Sequence, residues 1–179
     1  MPTPHHPHKR TARRAGHAAK RYQPGPVHLN NIERAITGAR RLPDENVAEV
    51  CAAMDVALVQ FGRGQDCPLH WRSMADAMNV AEQLAAVRIC SDDTSAGMIQ
   101  AAQAVLAAVQ GRQATTGSWT LRSEERKALD DGLWLHGVQL RNCSFREYET
   151  AVARCQAVVR GALAGNVGAG TVVVGAPAC

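Results

Sequence analysis

A chain of 179 residues with 46% hydrophobic and 20% charged side chains has the size and apolar content for one domain with a substantial core. Its longest apolar stretches, such as Ala104–Val109, fall far short of the roughly 20 residues a membrane helix requires, and no apolar segment follows the basic start as a secretory leader demands. The formal charge of +4 is uneven: Lys9, Arg10, Arg13, Arg14, Lys20 and Arg21 crowd into the first 22 residues without an acid, leaving the rest slightly acidic. A cytoplasmic protein without a membrane segment is expected.

Residues 1–27 hold Pro, His, Arg and Lys and almost nothing large and apolar before Tyr22. That is too little to offset the entropy of ordering, so a disordered basic tail is expected. Leu29, Ile32, Ile36 and Ala39 then predict a short helix closed by Pro43. Pro43 opens a second helix, with Asp44 and Glu45 in the first turn, where the helix dipole favours anions. Val47, Cys51, Met54, Leu58 and Phe61 form its stripe, and Gly62 and Gly64 stop it. Asp66 is the expected cap of a third helix, whose seam is Trp71, Met74, Met78, Ala81 and Ala85 with Leu84 beside it.

A fourth helix starts in the Ser91–Ser95 cluster, shows Met98, Ala102, Val105 and Val109, and is expected to end across Gly111–Gly117. Ser123 is the expected N-cap of a fifth, ahead of Glu124 and Glu125, with Leu129, Leu133, His136 and Leu140 on one face. Ser144 and Glu147 form a capping box for the sixth, whose stripe is Phe145, Tyr148, Val152, Cys155 and Val159. Residues 165–179, mostly Gly, Ala and Val without a period, read as a second tail. Residues 28–164 are therefore expected to be all-α, a single bundle of five to six antiparallel helices between N- and C-terminal tails. The stripes are too wide for a coiled coil.

Few residues are arranged for chemistry. Cys67 and His70 have metal-ligand spacing, but zinc needs four convergent donors, so no metal and no cofactor is expected. Cys51, Cys90 and Cys155 sit among apolar residues and read as core fillers with free thiols. His136 and Cys143 are separated by about 10.5 Å along a helix, too far for a base and its nucleophile, and His136 reads as a core histidine with a hydrogen bond. The pairs Asp92-Asp93, Glu124-Glu125 and Asp130-Asp131 read as helix-end and surface acids. Trp71, Trp119 and Trp134 read as core anchors, with Trp119, in the Gly117-Ser118-Trp119 loop, also a candidate partner contact. The six cations at positions 9–21 are the candidate phosphate-binding set.

Arg21-Tyr22-Gln23-Pro24 with Pro26-Val27 form the first of three informative stretches, and His70-Trp71, Met74-Ala75, Met78-Asn79, Ala81-Glu82 and Leu84-Ala85 the second. The third runs from Thr116-Gly117-Ser118-Trp119 through Leu129, Gly132, His136 and Gln139-Leu140 to Ser144, Glu147-Tyr148 and Ala151. Together they resemble the small uncharacterised helical proteins encoded by tailed phages and prophages of Gram-negative bacteria. The resemblance implies a non-enzymatic accessory protein, names no partner and carries over no catalytic residue; the lack of a catalytic constellation, with Trp119 as candidate contact, leads to the expectation of a protein that binds a host or phage protein or a second copy of itself. The alternatives from other classes are a nucleic-acid-associated protein using the basic tail and a cryptic enzyme whose site leaves no sequence motif.

Overall fold

The computed structural model describes residues 26–65 and 67–163. They form six helices: α1 (Pro26–Ala39), α2 (Asp44–Gly62), α3 (Cys67–Ala86), α4 (Asp93–Thr116), α5 (Ser123–Asn142) and α6 (Phe145–Leu163). The fold is all-α, and among the described residues the one β-type contact is a bridge between Arg41 and Ser144. Beside it the Phe145 N–H donates to the Arg40 carbonyl at 2.8 Å, tying the α1–α2 loop to the start of α6. The expected cap Asp66, the cations at 9–21 and the C-terminal stretch 165–179 lie outside the described residues. α1 opens at Pro26, just inside the segment expected to be tail.

Most helix ends follow from local chemistry. Pro43 fixes the entry to α2, its carbonyl accepting from the Asn46 and Val47 N–H groups at 3.0 and 3.1 Å. The Asp92 carboxylate caps α4, receiving the Ser95 N–H at 3.0 Å and the Ser95 hydroxyl at 2.8 Å. α4 ends within the expected Gly111–Gly117 stretch, at its far end: Gly117, with a φ of 72°, supplies the left-handed residue that ends a helix. Ser123 is not the cap of α5. It is already helical, and Glu125 reaches back to take the Arg122 N–H at 2.8 Å. Arg112 of α4 holds that carboxylate through two contacts, at 3.1 and 2.8 Å, which fixes Glu125 for the task. At α6 the Ser144–Glu147 capping box forms as expected, with Glu147 accepting from the Ser144 N–H at 2.7 Å and hydroxyl at 2.8 Å.

α3 is the central helix, packed by α2, α4, α5 and α6. Its buried surface accordingly runs wider than the expected seam and takes in Ala75, Asn79 and Val80 as well. Trp71 donates its indole N–H to the Leu106 carbonyl of α4 at 2.9 Å. Gln139 of α5 donates to the Ala81 carbonyl at 3.0 Å and the Ile89 carbonyl at 3.1 Å, fastening the end of α3 and the loop after it. Arg88 in that loop has a φ of 71°, the left-handed region where glycine is usual. α4 and α5 meet at Gly132, where a Cβ would stand 2.7 Å from the Ala102 Cβ and 3.0 Å from the Met78 sulfur. The buried face of α4 is centred on Ile99, Ala102, Leu106 and Val109, while Met98 and Val105 lie at its edge, half-buried. α1 packs on α6 through Gly38, and Ile36 faces away from the core.

Candidate functional site

α2 and α6 both lie against α3 without closing on each other, and the space between them is a groove of about 1000 Å³. α2 contributes Val50, Ala53 and Val56, and α6 contributes Val152 and Val159, with Ala77 and Val80 of α3 between them. Alanine and valine are too short to bridge the gap, so the groove stays open. Its lip is apolar as well: Leu69 is 63% and Val56 54% exposed. A soluble surface seldom leaves such side chains clustered beside a cleft without use.

The polar groups of the groove do not form a relay. His70, Ser73 and Asp76 all line it, but His70 and Asp76 are separated by about 9 Å of rise along α3. Ser73 donates its hydroxyl to the Leu69 carbonyl at 3.1 Å. Burial pushes the Asp76 carboxyl above the usual carboxylate range, with Arg72 opposing the shift. Burial also pushes the Cys155 thiol up to about 11, helped by the carboxylates of Glu82 and Asp76, so it is no thiolate nucleophile at neutral pH. Arg160 adds a cation at the same end of the groove as His70, where the C-terminal half of α6 passes the start of α3.

His136 of α5 is among the residues that line the groove. It is 2% exposed, and its Nδ1 meets no partner at hydrogen-bond geometry. Burial lowers its pKa to about 4, with the neighbouring Gln139 amide opposing the shift, so the imidazole is neutral at physiological pH. The sequence placed His136 correctly in the core, and the Gln139 amide beside it is its hydrogen-bonding neighbour.

The other sequence candidates are dispersed. Lys9, Arg10, Arg13, Arg14, Lys20 and Arg21 lie outside the described residues. Trp119 is half-buried, its ring centroid 6.0 Å from Phe61 and 6.3 Å from Trp71, so much of its apolar surface is spent within the fold. Trp134 reverses the expectation of a core anchor: it is 63% exposed, with Asp55, Asp130, Asp131 and Arg141 around it. Leu133, Leu135 and His136 are all buried, which turns position 134 outward.

Among the described residues no three His, Cys, Asp or Glu side chains converge as metal ligands. The fully buried thiols are Cys67 and Cys143, whereas Cys51, Cys90 and Cys155 are half-buried fillers at the edge of the core. Burial and the Glu147 carboxylate push the Cys143 thiol up to about 11. No described helix is long and apolar enough to cross a membrane.

The groove itself escaped the sequence reading. Its available signal was Val50, Ala53 and Ala57, a second apolar row on α2 beside the expected stripe. Comparison with known protein families, with characterised proteins and with solved structures returned no match.

Proposed function

We propose that this chain is a non-enzymatic binding protein that holds an apolar small-molecule ligand in the groove between α2, α3 and α6. The observation that carries the reading is the groove itself, about 1000 Å³ of space with a largely apolar lining in which Val and Ala recur. Ligand sites have this size and lining, with a few polar groups that set orientation. The likeness to helical phage proteins supports an accessory rather than a catalytic role, and it leaves the ligand's source open to host or phage.

The test is a titration of the full chain with the neutral dye Nile red, beside an Ala53→Trp variant. Ala53 lines the groove yet is exposed, so the larger ring fills the space without disturbing the core. Saturable one-to-one uptake by the native chain, lost in a variant of unchanged melting temperature, is the expected result. Equal uptake by both chains, or none by either, sinks the proposal.

A second reading is favoured by Trp134. An exposed tryptophan is an expensive surface residue and a frequent centre of protein–protein binding energy. Asp55 and Asp130 beside it fit a partner segment that presents lysine or arginine. Sedimentation of the native chain and of Trp134→Ala separates self-association from a different partner. A monomer whose binding to an oligo-arginine peptide is unchanged by the substitution argues against this face. The nucleic-acid alternative rests on positions 9–21, and deletion of residues 1–22 is its test: salt-sensitive retention on DNA should disappear.

A further inference from the structure

We infer that the chain regulates its own groove: the segment Thr171-Val172-Val173-Val174 turns back from the end of α6, lies along the groove, and is displaced when an apolar ligand enters. The inference rests on the groove being a ligand site and adds what competes for it. Val152, Cys155, Val159 and Arg160 of α6 line the groove, and α6 ends at Leu163. The chain that follows therefore departs within one helical turn of the last lining residue. Residues 164–179 lie outside the described residues, and it is their composition and reach that suit them to this site.

The lengths match. From Leu163 back to Val152 is about 16 Å along the helix. The eight residues from Ala164 to Thr171 span up to about 28 Å when extended, enough to set the valines anywhere on that length. Gly165, Gly168 and Gly170 give the connection the backbone freedom to reverse. The chemistry matches as well. Residues 164–179 contain no Asp, Glu, Lys, Arg or His, so they can enter an apolar trough without stripping water from an ion. Residues 1–22 do not qualify, because they bring six cations and no acid to a groove whose charged lining is Asp76 and Arg160, one of each sign. The groove is open along one side, so a segment lying in it keeps water on the outer edge of its backbone. Three consecutive valines left in water are also a site for pairing between copies, a hazard that docking in the groove removes.

The experiment titrates Nile red into the full-length native chain and into the full-length Val172→Asp/Val173→Asp chain. Neighbours in an extended segment point to opposite sides, so one carboxylate must enter the groove however the segment is turned, and the segment is expelled. A groove that is about nine-tenths filled by its own chain binds dye about tenfold more weakly than an empty one, so the variant is expected to bind about tenfold more tightly. A second measurement reads the placement directly. In the monomeric native chain, methyl groups of the valines at 172–174 are expected to give nuclear Overhauser contacts to those of Val152 and Val159, lost on saturation with dye. Should the variant not fold, these contacts decide alone. Unchanged dye affinity, or no such contacts, overturns the inference while the groove reading stands. Contacts that appear only as the chain dimerises assign the segment to a second copy and overturn it too. No uptake of dye by either chain is the failure of the groove reading itself, seen before any competition is measured.

Discussion

Lowering the pH from about 7.5 to about 5 should destabilise this protein through His136 before its carboxylates begin to protonate. The imidazole is buried and its pKa is lowered from 6.5 to about 4. The unfolded chain therefore takes up a proton below its own value of 6.5 while the folded chain resists it until near 4. Stability is complete above the unfolded value and is lost as pH falls between the two. The full span corresponds to about 3 kcal/mol, of which about 2 kcal/mol is gone by pH 5. For a domain of this size that is a fall in melting temperature of roughly 5–8 °C.

The lowered carboxyls of Asp92, Glu125 and Glu147 contribute stability that is present above their unfolded values of 3.8 to 4.5 and lost only below them. The raised Asp76 acts in the opposite sense, since acid relieves the cost of its partly desolvated charge. Thermal unfolding followed by circular dichroism across this range, with His136→Leu as the reference, isolates the histidine. The variant should be flat where the native chain falls. Parallel curves would refute the reasoning, because they would show that His136 is solvated and titrates normally in the folded state.

Gly132→Ala should cost about 1–3 kcal/mol, since the added methyl meets Ala102 and Met78 at the tightest crossing of α4 and α5; a lower urea midpoint at constant slope is the reading that checks it. Gln139→Leu fills the same space but strips the donor from the Ala81 and Ile89 carbonyls. It should cost about 1–3 kcal/mol and speed amide exchange across residues 87–91. Arg88→Gly should raise the melting temperature, because it relieves about 1 kcal/mol of left-handed strain at φ 71°. Ser144→Ala should remove about 1 kcal/mol by breaking the capping box of α6, visible as faster exchange in its first turn.

Helix number and the starts of α2, α4 and α6 were legible because they are local. Pro43 with Asp44 and Glu45, Asp92 with Ser95, and Ser144 with Glu147 each meet within one turn of backbone. What failed depended on partners far along the chain. Ser123 looks like a better cap than Arg122 until Arg112, brought in by α4, fixes Glu125 behind the Arg122 N–H. The face of α4 was misjudged because Ala101, Ala102, Ala104, Ala107 and Ala108 blur its period, leaving Ile99 and Leu106 to define the buried side. Trp134 was misplaced because two buried leucines flank it and hydrophobicity alone does not tell which of three neighbours turns outward.

The groove was hidden for a different reason. An apolar stripe records that a helix face rejects water, but it does not record what meets that face. Tyr148, Val152, Cys155 and Val159 repeat along α6 as a core seam would, and every one of them is only half-buried. The second row on α2, from Val50 through Ala53 to Ala57, would likewise be ordinary core if α6 leaned across to cover it. Both helices pack on α3 instead, and small side chains on each leave the space between them unfilled. Packing normally closes such a gap, because each unfilled methyl-sized void costs about 1 kcal/mol. A bundle that keeps this one open along two helices forgoes stability that an occupant can restore. Ligand and fold are then coupled by mass action: a molecule that fills the groove must raise the melting temperature with its concentration, and one that does so by a route other than the α2–α6 walls would have to stabilise the Ala53→Trp chain as much as the native one.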